Sequence, residues 1–311
     1  MSGRALPNEG EAWEFTREEV QRYFERVLSR KTEIREPPAL PAVLTGTDFA
    51  SVQAPLQELL GGYYFELAGL VGKRTAEMHA ALASSMEPDV APEPFSLLYQ
   101  RSVYQSMRSH VRRVFELLRG NMRYLPEAAR IEALGVLTSE EQLLQIEHRI
   151  VMKKLAASRF RIHGDYHLGQ VLYTGKDFMI IDFEGEPARS LSERRLKRSP
   201  LVDVAGMLRS FHYAAYSALF QYKSIRPEDI AGLEPWAELW AWHMGASFLR
   251  SYLEPASKAG FLPPDMADLN VLLNAFLMDK AVYELGYELN NRPDWVLIPI
   301  RGLKNVLKSS A

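Results

Sequence analysis

Apolar residues recur every three or four positions through most of the chain, which is the period of an amphipathic helix. The pattern predicts helices at 56–82, 98–118, 201–222, 235–253, 266–289 and 293–307. Gly61 and Gly62 are expected to interrupt the first of these helices. Thr16 and Glu19 have the spacing of a capping box, which predicts that a further helix begins at Thr16.

The pattern changes near residue 160. Phe160 and Ile162 alternate with arginines, and two short apolar runs follow at 171–173 and 178–181. The four residues between these runs, 174–177, include a glycine, so the runs are predicted to pair as a hairpin. The expected fold class is therefore mainly α with a small β-hairpin.

The composition is that of a globular protein. Of the 311 residues, 47% are hydrophobic and 24% are charged, which excludes disorder over most of the chain. The net charge of −2 gives no reason to expect nucleic acid or a membrane as a partner. There are no cysteines, so disulfides and cysteine-based metal sites are excluded. The chain lacks a long apolar run and a signal-peptide core, and we expect it in the cytoplasm.

The most informative segment is 161–170, RIHGDYHLGQ. His163, Asp165 and Gln170 match the kinase catalytic-loop pattern H-x-D-x-x-x-x-N, with glutamine in place of asparagine. Asp182 follows at the end of an apolar strand, as the second kinase aspartate does. This chemistry needs one carboxylate near the attacking hydroxyl, a second carboxylate that holds Mg²⁺, and an amide oxygen that completes the metal shell.

Two other interpretations of this segment compete with the kinase pattern. His163, Asp165 and His167 alternate, so on a strand they would share one face and could form the metal site of a hydrolase. The segment could also be a surface loop with incidental histidines. The kinase pattern accounts for more residues, because it includes the hairpin and the strand-end aspartate.

Longer segments resemble the maltokinases, which are relatives of aminoglycoside phosphotransferases and are often fused to trehalose synthase. These segments are HGDYHLGQ at 163–170, IDFEGEPAR at 181–189, ERRLKRSPLVDVAGMLRS at 193–210, KAVYELGYELNNRPDW at 280–295 and NEGEAW at 8–13. The resemblance implies a protein-kinase-like C-terminal lobe over 1–311. Its implied parts are a post-hinge helix and linker at 1–54, a helical part at 55–158, the catalytic loop, hairpin and metal-binding strand end at 159–199, and C-terminal helices at 200–311.

The resemblance also implies an activity, the transfer of the ATP γ-phosphate to maltose to give maltose 1-phosphate in trehalose and glycogen metabolism. Asp165 would orient or deprotonate the sugar hydroxyl, and Gln170 and Asp182 would bind Mg²⁺. Glu184 would support the metal directly or through water. His163 is expected to brace the loop and Asp203 to cap its backbone, as an aspartate at a helix start normally does.

Two groups of residues are candidates for sugar binding. A disaccharide offers hydroxyls and flat ring faces, which suit charged partners beside aromatic surfaces. The C-terminal helix and the residues after it supply both charged and aromatic side chains. The alternative is that this helix only packs in the core. The basic run before residue 200 could meet phosphate or sugar, or could be a solvated face. The candidates are Lys280, Tyr283, Glu284, Arg292, Arg301, Arg195 and Arg198.

The glycine-rich cover and the strand lysine of a kinase are not found in the sequence, so the N-terminal β-lobe is expected to be absent from this chain. The chain could be a fragment, a split gene product or a protein that lost this lobe, and alone it should bind ATP weakly and show little or no turnover. Alternative functions are phosphorylation of an aminoglycoside, choline or another sugar. A lobe that only binds sugar, or that docks onto trehalose synthase or the missing lobe, is a non-catalytic alternative.

Overall fold

The computed structural model describes residues 8–30, 36–41 and 49–310. The eleven helices of these residues are α1 Ala12–Ser29, α2 Ala54–Leu60, α3 Gly62–Ala83, α4 Leu97–Asn121, α5 Glu127–Leu137, α6 Glu140–His148, α7 Leu191–Arg194, α8 Leu201–Gln221, α9 Pro227–Lys258, α10 Met266–Asn291 and α11 Leu297–Ser310. The five strands are β1 Gly10–Glu11, β2 Glu93–Pro94, β3 Ser158–Arg159, β4 Val171–Tyr173 and β5 Phe178–Ile180. The mainly helical fold predicted from the sequence is confirmed.

The predicted hairpin is also confirmed. Strands β4 and β5 pair antiparallel, with Val171 opposite Ile180 and Tyr173 opposite Phe178. The pattern did not predict β1, which pairs with β4 and makes a three-stranded sheet, or the separate pair of β2 and β3. These additional strands have two residues each, too few to show the alternation that marks a strand in a sequence.

Several predicted helix boundaries were wrong. Helix α1 begins at Ala12, and Thr16 lies inside it, where its hydroxyl donates to the Ala12 carbonyl at 2.6 Å. Thr16 also bonds the Tyr64 hydroxyl at 2.5 Å, so it serves packing rather than capping. Helix α9 begins at Pro227 and continues through Pro235, where the pattern had predicted its start. The interruption at Gly61 is confirmed, because its φ of +75° ends α2 in a conformation that favours glycine.

The chain forms two compact units. The first unit contains the described residues of 1–79, 163–194 and 210–255. Its core includes Tyr64 stacked on Trp240 at 5.5 Å between ring centroids. Helices α3 and α9 pack closely in it, since a Cβ on Gly72 would lie 2.1 Å from the Phe248 carbonyl oxygen.

The second unit contains the described residues of 80–162, 195–209 and 256–311. Its core is helical, with buried residues of α4, α5, α6, α10 and α11; Phe115, Leu143, Leu285 and Ile300 are among them. In the part of the chain that the structure covers, no helix is both long enough and apolar enough to cross a membrane.

Candidate active site

The loop at 163–170 leads directly into the hairpin of the first unit. A short 3-10 turn at Leu168–Gln170 precedes β4, and Asp182 follows the end of β5 by two residues. The Ile181 backbone N–H donates to the Gln170 carbonyl at 3.0 Å, which closes the open end of the hairpin. The chain segments that carry Gln170 and Asp182 are therefore neighbours.

His163 joins the loop to the segment that carries Asp182. Its ring is fully buried, with Nε2 2.7 Å from the Ile181 carbonyl oxygen and Nδ1 3.3 Å from the Asp165 backbone nitrogen. A neutral ring with its proton on Nε2 satisfies both contacts, because Nε2 then donates and Nδ1 accepts. One side chain thus fixes the backbones on both sides of the candidate site.

Two glycines allow these segments to approach each other. Gly164 and Gly185 have φ values of +86° and +78°, in the region that favours glycine. A Cβ built on Gly164 would lie 3.6 Å from the Gly185 Cα, and one on Gly185 would lie 3.7 Å from the His163 carbonyl oxygen. The loop and the turn after Asp182 are therefore at van der Waals distance, one residue from Asp165 on one side and three from Asp182 on the other.

Asp182 has an unusual backbone. Its φ of +60° makes it the single non-glycine residue with a positive φ in the described ranges. Such a conformation costs roughly 1–3 kcal/mol, is more accessible to aspartate than to most residues, and clusters at functional sites. The side chain is exposed, and within the described chain its carboxylate has no hydrogen bond or ion pair. The exposed acidic side chain is therefore available to a ligand.

Asp165 lies in a partly enclosed position. Its side chain is 14% exposed, and its Oδ2 atom lies 3.8 Å from Nε2 of His167. Two residues that follow it are anchored: the Tyr166 hydroxyl bonds Oγ1 of Thr75 at 2.8 Å, and the Leu168 N–H donates to Oγ of Ser210 at 3.1 Å. The loop is thus attached to α3 and α8, which holds its geometry without using the Asp165 carboxylate.

The sequence did not predict the anchors Tyr166, Thr75 and Ser210. The two bonded residues are separated by 91 positions in one contact and by 42 in the other, so no local pattern connects them. A buried hydroxyl within an otherwise apolar helix is the signal that could have identified Thr75 and Ser210, since a buried hydroxyl needs a partner.

The alternative metal site of His163, Asp165 and His167 is not supported by this geometry. Both His163 nitrogens contact backbone atoms, and Nδ1 of His167 accepts from the Gly169 N–H at 3.1 Å. In residues 8–30, 36–41 and 49–310, no three His, Cys, Asp or Glu side chains are arranged to hold a metal ion.

Gln170, Asp182 and Glu184 offer a different donor set. Asp182 and Glu184 have exposed carboxylates, and Gln170, half-buried, adds an amide oxygen. Magnesium prefers such hard oxygen donors, typically takes one or two carboxylates from the protein, and completes its shell with water and phosphate. The residues present therefore fit magnesium, although their role as ligands stays a prediction.

An ion pair attaches the hairpin turn to α3. Arg74 donates to both carboxylate oxygens of Asp177, at 2.8 and 2.7 Å, and this lowers the pKa of the Asp177 carboxyl below its ordinary value. Asp177 raises the pKa of the Arg74 guanidinium in turn. The bidentate geometry fixes the far end of the hairpin that carries Asp182 at its open end.

The residues predicted to bind sugar lie in the second unit, as does Asp203, which is buried in the first turn of α8. Several of the sugar candidates are already paired within that unit. Glu284 is buried and binds Arg209 at 2.7 Å, Arg292 binds Glu288 at 2.7 Å, and Arg301 binds Glu132 at 3.2 Å. These pairs reduce the number of free charges that the α10 region can offer to a sugar.

The remaining sugar candidates are less constrained. Lys280 lies over the Tyr283 ring, 4.9 Å from its centroid. Arg195 is exposed, and the backbone of Arg198 bridges that of Phe160. The roles of all these residues, and of His163 and Asp203, stay predictions.

Two curated relatives with similar sequences are glucosamine kinases. The one from Streptacidiphilus jiangxiensis is 28% identical over 148 residues, which is 47% of this chain and 31% of the relative. The one from Mycolicibacterium smegmatis is 29% identical over 147 residues, which is 47% of this chain and 34% of the relative. No protein-family profile matches the chain.

Solved glucosamine kinases have the same fold. A complex with glucosamine, ADP and inorganic phosphate superposes with a TM-score of 0.68 at 20% identity, covering 96% of this chain and 61% of that one. Another crystal form of a glucosamine kinase superposes with a TM-score of 0.68 at 19% identity, and the match covers 97% of this chain and 60% of that one. The chain thus spans about three fifths of the solved relatives.

These matches support a sugar-kinase-like phosphotransferase. Their names mention neither maltose nor trehalose synthase, so the narrower maltokinase prediction receives no support from them. The comparison establishes the fold as that of glucosamine kinases over nearly the whole chain.

Proposed function

We propose that the chain is the acceptor- and metal-binding part of an ATP-dependent sugar kinase. The observation that carries this proposal is the junction of the loop with the strand end, where His163 binds Ile181 and Asp165 at once. A kinase needs this junction, because the group that receives the acceptor proton must stand close to the group that holds the metal.

Asp165 is the residue assigned to the acceptor hydroxyl. Its side chain is 14% exposed, so it can reach a substrate, and its backbone is fixed by His163. In this role it orients the hydroxyl and takes its proton as the oxygen attacks the γ-phosphate. Asp182 and Gln170, with Glu184 near them, are the assigned magnesium ligands. When bound, magnesium would neutralise charge on the transferred phosphate.

The acceptor that we propose first is an amino sugar of the glucosamine kind, because the relatives by sequence and by structure are glucosamine kinases. Maltose, which the sequence resemblance implies, is the second acceptor. ATP is the proposed donor, since the solved relative binds ADP.

The test is a single-turnover assay with γ-labelled ATP, Mg²⁺ and the chain in molar excess, so that slow transfer is measurable. The acceptors are glucosamine, maltose, choline and an aminoglycoside. We expect label in a sugar, and Asp165→Asn should reduce its rate by about 10²–10⁴-fold while calorimetric sugar binding is kept.

Asp89→Asn is the matched control, because Asp89 is an exposed aspartate outside the first unit. It should leave transfer unchanged. Label in choline rather than a sugar, or an Asp165→Asn rate equal to that of the parent chain, contradicts the proposal. Absence of label in every sugar, together with no calorimetric binding of any sugar, contradicts it as well.

A further inference from the structure

Helix α4 carries a charge that differs from the rest of the chain. Its 25 residues hold five arginines and one glutamate, a net charge of +4, whereas the whole chain has a net charge of −2. Helix α4 is therefore a positively charged element of the second unit.

Three of these arginines form a straight row. Arg101, Arg108 and Arg112 are separated by seven and four residues, which places them within about 40° of one another around the helix and along about 16 Å of its length. Arg101 and Arg112 are exposed and Arg108 is half-buried. We call Arg101, Arg108 and Arg112 the arginine row.

The arginine row has no internal counter-charge. Among the described residues, none of its three side chains takes part in an ion pair or hydrogen bond. Elsewhere in the second unit, Arg209, Arg292 and Arg301 each bind a glutamate. Arg108 and Arg112 are four residues apart, a spacing at which like charges destabilise a helix. Repulsion between these like charges therefore destabilises the helix, and no contact among the described residues offsets it.

Two exposed leucines stand at the start of the row. Leu97 and Leu98 are 41% and 79% exposed, and they precede Arg101 by four and three residues, which puts all three side chains on one helix face. An apolar pair next to a line of guanidinium groups is the surface that an amphipathic acidic segment would complement.

We propose that the arginine row and Leu97–Leu98 bind an acidic segment of a partner protein, helical when bound, that carries carboxylates at matching spacing and an apolar residue at one end. Guanidinium groups bind carboxylates in bidentate geometry. The row is one helix wide on a chain of net negative charge, which disfavours nucleic acid and anionic membranes, since both require a broad positive field. This inference is independent of the catalytic proposal.

The probe is a fluorescein-labelled synthetic helix of about 20 residues. Three glutamates repeat the seven- and four-residue spacing, and two leucines precede the first glutamate by one turn. A second peptide of equal composition spreads its glutamates around the helix. The affinity of the chain for each peptide is measured by fluorescence anisotropy at low and at moderate salt.

The informative variant is Arg101→Gln/Arg108→Gln/Arg112→Gln, and the matched control is Arg113→Gln/Arg123→Gln/Arg130→Gln, which removes the same charge from exposed arginines off the row. We expect the row variant to weaken binding of the spaced peptide by about 10-fold or more, and the control by less than about 2-fold. Circular dichroism checks that both variants fold.

Three results would overturn the inference. The first is equal loss in the two variants or equal affinity for the two peptides, which would mean unspecific attraction. The second is no measurable binding of the spaced peptide. The third is tighter, row-dependent binding to phosphatidylserine vesicles or to a single-stranded RNA, which would assign a different class of partner.

Discussion

The loop at 163–170 and the C-terminal part of α10 hold their polar groups in opposite ways. In the loop, His163 binds backbone atoms, and the Asp165 carboxylate, 3.8 Å from Nε2 of His167, makes no hydrogen bond to a described residue; the carboxylate of Asp182, after β5, is exposed. On α10 and directly after it, Glu284 and Arg292 are neutralised by other charged side chains of the second unit. A group held through its neighbours' backbone stays available for chemistry, whereas a group paired with an opposite charge mainly stabilises the fold.

Removal of Glu284 is the change expected to have the largest effect on stability. Its partner Arg209 is almost fully buried, so Glu284→Ala leaves an unpaired charge inside the second unit and should lower the free energy of unfolding by about 3–5 kcal/mol. Urea denaturation measures the loss.

The double variant Glu284→Ala/Arg209→Met tests the same pair, because it removes both charges and should recover part of the stability. If Glu284→Ala leaves the unfolding free energy unchanged and only weakens sugar binding, Glu284 is a ligand as the sequence predicted, and the comparison fails.

A second buried carboxylate of the second unit, that of Glu147, differs from Glu284 because it has no paired charge among the described residues. Glu147 is fully buried, neither of its oxygens bonds a described residue, and burial, together with the Asp279 charge, raises the pKa of its carboxyl to about 9. The folded state therefore keeps a proton that the unfolded state releases above its ordinary pKa near 4.5. Stability should fall as pH rises from there towards 9.

The side chain of the Glu147→Gln variant is neutral at every pH. The free energy of unfolding of this variant, relative to that of the parent chain, should therefore rise by at most ~1.4 kcal/mol per pH unit between about pH 5 and 9. Urea unfolding of both proteins at pH 5.5, 7 and 8.5 measures this difference. A difference that does not change with pH would mean that Glu147 is ionised in the folded protein.

The smallest expected effect on stability is at the loop junction, where activity should change more. His163→Phe keeps a ring against Phe183 and Tyr166 but leaves the Asp165 N–H and the Ile181 carbonyl without their partner. We expect a loss of about 1–2 kcal/mol in unfolding free energy and a fall in kcat larger than the change in KM.

Phe183→Leu is the control for this variant, since it alters the ring contact and keeps both hydrogen bonds. It should retain most of the activity. If both variants lose activity equally, ring packing rather than the hydrogen-bonded junction positions Asp165.

The parts of the fold that the sequence predicted are those that local patterns determine. The hairpin follows from two apolar runs around a glycine-containing turn, and the break at Gly61 follows from the glycine itself. The start of α1 was missed because Thr16 has the spacing of a cap, but its hydroxyl is used by Tyr64, 48 residues away. Contacts of that kind depend on tertiary packing and leave no local signature.

In the candidate site, too, the sequence predicted the residues of one short stretch but not the contacts between distant segments. The spacing of His163, Asp165, Gln170 and Asp182 is a property of one short stretch, and the structure brings the segments that carry them together. The pairing of Glu284 with Arg209 spans 75 positions, so a helix face that looked suited to sugar proved to hold a buried ion pair. A pattern along one helix indicates which residues share a face, but not what covers that face.

The most direct test of the central claim uses Mn²⁺ with ADP as a paramagnetic probe and backbone amide NMR of the deuterated chain. If Asp165 and Asp182 belong to one metal–nucleotide site, the strongest line broadening falls on 163–170 and 181–186, and Asp182→Asn removes it. Broadening that is strongest elsewhere, or that survives Asp182→Asn unchanged, would mean that Asp165 and Asp182 do not form one metal–nucleotide site.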